Sequence, residues 1–303
     1  MRTILPPPLA PGDRIGIVAP GGPVREEAFA RGLERLQARG FQPVLGRNVR
    51  RRKAYLAGTD DERLEDLSGF LRDATIPAIW CARGGYGTGR IVDRLDLEPL
   101  RHRPKAVIGY SDITILHAAL FAKIRLAAWH GPLVSELGNP ALYDEAFLWS
   151  ALSGDGGGLS WPLQGTEIHR PGTAEGILVG GCLSVLVGLV GTPYEPPMDG
   201  SILFWEEVHE EPYRIDRLLG HLRLAGWLKR LGGMVVGRPV DCAPQDPKND
   251  VPLREIVETH LAGTDYPVVL DFPAGHCPGK TTLPLGRVVR LDTGSMRMDV
   301  SGR

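Results

Sequence analysis

The chain has 303 residues, 43% of them hydrophobic and 23% charged, with a formal net charge of −1. That length suits two ordinary domains, and that composition belongs to a soluble globular protein able to bury ample core without covalent staples. The near-zero charge offers no electrostatic handle for nucleic acid or an anionic membrane, so neither is expected as a partner.

The opening stretch, MRTILPPPLAPGDR, sets three consecutive prolines where a signal peptide needs an apolar segment. "RIGIVAP" (14–20) reads as a buried strand, and 25–40 as an amphipathic helix with Phe29, Leu33 and Leu36 on one face and Gly40 as its stop. "FQPVLG" is a weaker strand, 63–73 a helix, and "PAIWCA" (77–82) a strand running into "RGGYGTG". "KAVIGY" is a strand, "ITILHAALFAK" a helix and "LAAWHG" (126–131) another strand. Strands and helices alternating on this scale predict parallel βαβ units with right-handed crossovers.

Residues 153–175 are rich in Gly, Pro, Ser and Thr and read as a linker or crossing loop. Beyond them, 176–181 and 201–208 read as strands, and a helix runs from Pro212 to about Lys229. "GMVVG" and "YPVVLD" are short strands, and the C-terminal "GRVVRLDTGSMRMDVSG" reads as a hairpin. The most apolar run, Ile177 to Val190, spans 14 residues with three glycines, which fits buried core better than a membrane span. The expected division is an N-terminal α/β domain over 1–153, a linker over 154–172 and a C-terminal domain over 173–303.

Four cysteines, Cys81, Cys182, Cys242 and Cys277, are scattered without C-x-x-C spacing. Neither a zinc site nor a disulfide framework is expected, and reduced thiols in the cytoplasm are the default. "RGGYGTG" could bring backbone N–H groups close to a ligand, but it matches neither phosphate-binding glycine pattern. Ser111, at the turn from strand to helix, has the placement of a nucleophile elbow, with the Asp112 N–H positioned to donate to an oxyanion. The motif is incomplete, since Ile113 stands where a second glycine belongs, and a Ser-Asp pair entering a helix also serves as a plain N-cap.

A serine nucleophile needs a base and the base needs an orienting group. Eight histidines are candidates: His102, His117, His130, His169, His209, His221, His260 and His276. His117, His221 and His260 fall in helical patterns, while His130 and His276 sit at strand ends. Glu206, Glu207, Glu210 and Glu211 cluster at a strand end. Glu206 follows four apolar residues, where a carboxylate is poorly placed for solvent and could orient an imidazole.

Taken together, "GYSD", "RGGYG", "HGP", "GILVGGCLSVLVGLVGTPY", "LFWEEVHEEPYRIDRLL" and "PAGHCPGKTTLPLG" resemble the LD-carboxypeptidase family of serine peptidases. That family includes muramoyltetrapeptide carboxypeptidases and microcin C immunity peptidases. The resemblance runs nearly end to end and implies an N-terminal, open, mostly parallel sheet covered by helices and a smaller C-terminal mixed α/β domain. It places the active site in the cleft between them. It implies Ser111 as nucleophile, His276 as base and Glu206 as orienter, with Glu207 the second choice. Backbone N–H groups of Asp112 and Gly85 would form the oxyanion hole, and no metal or cofactor is required.

The implied reaction is release of the terminal D-alanine from murein tetrapeptides during cell-wall recycling, by a cytoplasmic homodimer. Arg83 is a candidate partner for the substrate carboxylate because a guanidinium can grip it bidentately. The resemblance also has departures: Gly180-Gly181-Cys182 stands where relatives often carry Gly-Gly-Asn, and Gly21-Gly22 where they often carry serines. The alternatives are an immunity-type amide hydrolase acting on aminoacyl-nucleotides, a non-catalytic binding protein, and a nucleotide-dependent enzyme using the glycine loop.

Overall fold

The computed structural model describes residues 3–154 and 158–301. They form two compact units, one of residues 3–154 with 278–286 and one of residues 158–277 with 287–301.

The first unit runs β1 (Arg14–Val18), α1 (Glu26–Ala38), β2 (Gln42–Leu45), α2 (Asp60–Arg72), β3 (Ala78–Cys81), α3 (Pro99–His102), β4 (Ala106–Gly109), α4 (Thr114–Ile124), β5 (Ala128–His130), α5 (Val134–Leu137) and α6 (Glu145–Ser153). Its strands β1–β5 are parallel in the order β2-β1-β3-β4-β5. Every residue of β3 and β4 is buried, as the continuous apolar runs of a doubly covered parallel sheet require. Val18, Ile79, Cys81, Val107, Ile113, Leu116 and Leu120 belong to one continuous core.

The second unit contains β6 (Ser160–Pro162), β7 (Glu167–Arg170), β8 (Thr173–Cys182), α7 (Leu183–Val187), β9 (Ile202–Glu206), α8 (Pro212–Leu224), β10 (Gly233–Gly237), α9 (Leu253–His260) and β11 (Val268–Phe272). The chain then gives β12 (Leu283–Leu285) to the first sheet, where it pairs antiparallel with β5, before returning as β13 (Val288–Asp292) and β14 (Arg297–Val300). The second sheet has the order β6-β14-β13-β8-β9-β10-β11-β7, with β8 to β11 parallel and the outer strands antiparallel. Both units are therefore mixed α/β, the first largely parallel, and the C-terminal hairpin is β13–β14.

Three local readings change. The linker stretch carries β6, β7 and the start of β8, short polar segments whose partners lie about a hundred residues away or more. The helix read from residue 63 begins at Asp60, because Thr59 and Glu62 form a reciprocal capping box. The helix from Pro212 ends at Leu224, two residues before Gly226 at φ +80°, rather than at Lys229. No helix among the described residues is long and apolar enough to cross a membrane.

Candidate active site

An open parallel sheet in the order 2-1-3-4-5 reverses its winding between β1 and β3, and ligands bind beyond the carboxyl ends of the strands at that switch. Here the loop after β1 (19–23) and the glycine loop after β3 (82–89) meet there, with Gly22 N–H donating to the Gly84 carbonyl at 2.7 Å. Arg63, wholly buried on α2, ties the two together by donating to the carbonyls of Pro20 and Gly87.

Ser111 follows β4 beside this junction. Its φ is +67°, a left-handed conformation that costs an L-residue about 1–3 kcal/mol unless its surroundings enforce it. Both neighbours are anchored. The Tyr110 hydroxyl donates to Glu136 Oε1 at 2.8 Å, its ring lies edge-on to His130, and the Lys280 ammonium sits 5.1 Å from the ring centroid. Lys280 in turn donates to Glu136 Oε1 at 2.7 Å. On the other side, Asp112 Oδ2 accepts from the Thr88 N–H at 2.8 Å and the Thr88 hydroxyl at 2.6 Å.

Asp112 therefore binds the glycine loop rather than the first turn of α4, whose N-cap residue is Ile113. The missing second glycine of the elbow motif has a substitute across the sheet. A Cβ on Gly84 would lie 2.9 Å from Ser111 Cβ and 3.1 Å from its Oγ, so only glycine lets the two loops approach this closely. The same closeness brings the Gly84–Gly85 segment alongside the serine hydroxyl, and Gly85 itself is exposed. Arg83 Nη1 donates to the Pro23 carbonyl at 2.6 Å.

The other two predicted residues lie together in the second unit. Glu206 ends β9 with no exposed surface, and its Oε2 takes His276 Nδ1 at 2.7 Å and the His276 backbone N–H at 3.3 Å. The carboxylate is pressed under Gly275, whose φ is +102° and on which a Cβ would fall 2.5 Å from Glu206 Cγ. The imidazole is half-buried, and Nδ1 is the ring nitrogen that the carboxylate engages.

Glu207 turns elsewhere. Its oxygens accept from Ser184 N–H at 2.7 Å and from its own neighbour Val208 N–H at 2.9 Å, and burial raises its carboxyl above the ordinary range. It holds the start of α7.

The remaining histidines separate by environment. His117 is buried in α4 without a hydrogen-bond partner for either ring nitrogen, and burial pushes it down to about 3, so it stays neutral. His169 pairs with Glu258 at 2.8 Å, and His260 with Asp216 at 2.5 Å. The sequence reading missed Glu136, Lys280, Thr88 and Arg63, all of which support the elbow or its loops. Lys280 lay inside a quoted motif, but nothing local pairs it with a residue 144 positions away. Among the described residues no group of three or more His, Cys, Asp or Glu side chains gathers as a metal site would need.

The LD-carboxypeptidase N-terminal domain profile matches residues 15–131, and that of the LD-carboxypeptidase C-terminal domain matches residues 175–291. A Bacillus subtilis relative whose name assigns it to the murein peptide carboxypeptidases is 37% identical, across 95% of this chain and 91% of its own. The murein tetrapeptide carboxypeptidase of Pseudomonas aeruginosa is 33% identical across 94% of each. The solved structure of the microcin C7 self-immunity protein MccF with aspartyl sulfamoyl adenosine superposes with a TM-score of 0.90 at 26% identity, covering 99% of both chains. By class the protein is a serine carboxypeptidase, a hydrolase. The chain belongs to the LD-carboxypeptidase family.

Proposed function

We propose that the protein releases the terminal D-alanine from murein tetrapeptides, with Ser111 as nucleophile, His276 as general base and Glu206 as the group orienting it. The observation that carries this reading is the 2.7 Å contact from Glu206 Oε2 to His276 Nδ1, which supports an imidazole tautomer with Nε2 as proton acceptor. Its complement is a serine held at φ +67° on an anchored turn.

In the first half-reaction Nε2 takes the Ser111 proton as Oγ attacks the carbonyl of the third residue. Backbone N–H groups of Asp112 and Gly85 receive the oxyanion, where each well-aimed donor is worth about 3 kcal/mol. The C–N bond then breaks, Nε2 returns its proton to the leaving amine of D-alanine, and an ester remains on Ser111. Water, deprotonated by Nε2, attacks that ester, and collapse gives the tripeptide acid and restores the serine. Arg83 receives the substrate's terminal carboxylate. We take the protein to act in the cytoplasm, where four cysteines outside any disulfide suit a reducing compartment, and as a homodimer, which light scattering tests against twice 32.9 kDa.

D-alanine release from a soluble muramoyl-tetrapeptide, measured with a chelator present for the parent and Ser111→Ala, tests the reading. The expected loss in kcat is roughly 10⁴–10⁶-fold. A loss below tenfold removes Ser111 from the role. Turnover of an aminoacyl-nucleotide in place of the peptide establishes the second reading, which the similarity to MccF favours.

A further inference from the structure

Three loops of the first unit converge beside Ser111. The loop after β1 bonds to the glycine loop through Gly22 and Gly84, and its Gly21 carbonyl accepts from Ala57 N–H at 2.9 Å at the end of the 50–57 segment. That segment is a built turn. Lys53 and Leu56 exchange backbone hydrogen bonds at 2.9 and 3.0 Å, and Ala54 takes φ +54°. Its tip presents Tyr55, 65% exposed, against Tyr86, 56% exposed, with ring centroids 5.9 Å apart. Tyr86 directly follows Gly85.

Each of the three hydrogen-bonded loops carries an arginine here: Arg25, exposed, at the end of the first, Arg83, half-buried, in the glycine loop, and Arg52, exposed, in the 50–57 turn. Arg83 is tethered to Pro23, two residues before Arg25, and both Arg25 and Arg52 act electrostatically on it. Burial first, then those two charges, lowers the Arg83 guanidinium below its ordinary value. Neighbouring arginines have counterions: Arg50 pairs with Glu26, and Arg51 lies 3.7 Å from Glu62. Among the described residues, Arg25, Arg52 and Arg83 form no ion pair. Like charges held together without an anion cost stability, and a ligand that supplies the anion recovers that cost.

We infer that Arg25 and Arg52 extend the Arg83 position into a subsite for a second carboxylate of the substrate, bordered by the Tyr55–Tyr86 pair. The ligand class is a peptide carrying at least two carboxylates, one at the scissile end and one on an earlier residue. The inference rests on the carboxypeptidase reading and adds the chemistry that reading leaves open: discrimination of free-acid from amidated stem peptides.

The test uses two muramoyl-tetrapeptides that differ only in whether the second residue's carboxylate is free or amidated. Calorimetry on Ser111→Ala measures affinity without turnover. The free-acid peptide is expected to bind about tenfold more tightly, the scale of one partly exposed charge-assisted contact. That preference is expected to fall to within twofold in the Ser111→Ala/Arg25→Gln/Arg52→Gln chain. Equal affinity for the two peptides, no binding of either, or a preference that survives the arginine changes overturns the subsite. Turnover by the parent chain is scored separately. D-alanine release with no acid preference in binding defeats the subsite alone, whereas binding with the expected preference but no release defeats the carboxypeptidase reading alone.

Discussion

Glu206 is wholly buried, yet only one of its oxygens is satisfied; Oε1 has no hydrogen-bond partner. A carboxylate kept in that condition is costly, and such costs persist where a site uses the charge. On the proposed mechanism, Glu206→Gln preserves the shape and removes the charge that would stabilise an imidazolium. The expected result is a kcat lower by about 10³–10⁴-fold with the fold intact, read by D-alanine release beside thermal unfolding. Glu207→Ala is expected to do the opposite. It strands the Ser184 and Val208 N–H groups, costs about 1–3 kcal/mol per buried donor, and lowers Tm while activity per folded molecule changes far less. The two glutamates were not separable by pattern. All five residues of β9 are buried, so the strand lacks the in-out alternation that would show which carboxylate faces which way.

At the scale of elements, the N-terminal turn of α2 supports the loops. Asp60 receives Arg90 at 2.7–3.1 Å and also pairs with Arg63, the residue that holds Pro20 and Gly87. Arg90 chiefly, with Arg63, pulls the Asp60 carboxyl from 3.8 to about 2 against the opposing effect of burial. A carboxylate depressed in the folded state adds stability above its unfolded value and loses it as pH falls through the folded one. Tm is therefore expected to drop between about pH 4 and pH 2, and Asp60→Asn to drop less over that window. An equal slope for the two proteins would remove Asp60 from the acid response. Elements with their own periodicity, β1, α1, β3, β4 and α4, were legible in the sequence. β6, β7 and β12 were not, because three or four residues carry too little pattern and their pairing is decided by distant partners. Arg63 was illegible for a related reason: a charged residue on a helix reads as solvated until two loop carbonyls are seen to converge on it.

For the whole molecule, the chain passes between its two units three times, at 157/158, 277/278 and 286/287. The last excursion delivers β12 to the edge of the first sheet, where Leu283, Pro284 and Leu285 lie opposite His130, Trp129 and Ala128. A single cut after residue 153 therefore yields a fragment whose β5 edge is bare, and an unpaired buried strand edge recruits other chains. The fragment is expected to self-associate in light scattering, and adding residues 278–286 on a flexible tether is expected to reduce that association. The same arrangement has a consequence on the ribosome. β5 is complete at His130, but its partner emerges only after Leu283, and at ~5–20 residues per second the gap is on the order of ten seconds. For that interval the nascent sheet is unfinished while most of the second unit is being made. Translation speed over residues 131–282, and any holdase that shields the open edge, should then set how much of the newly made protein escapes aggregation.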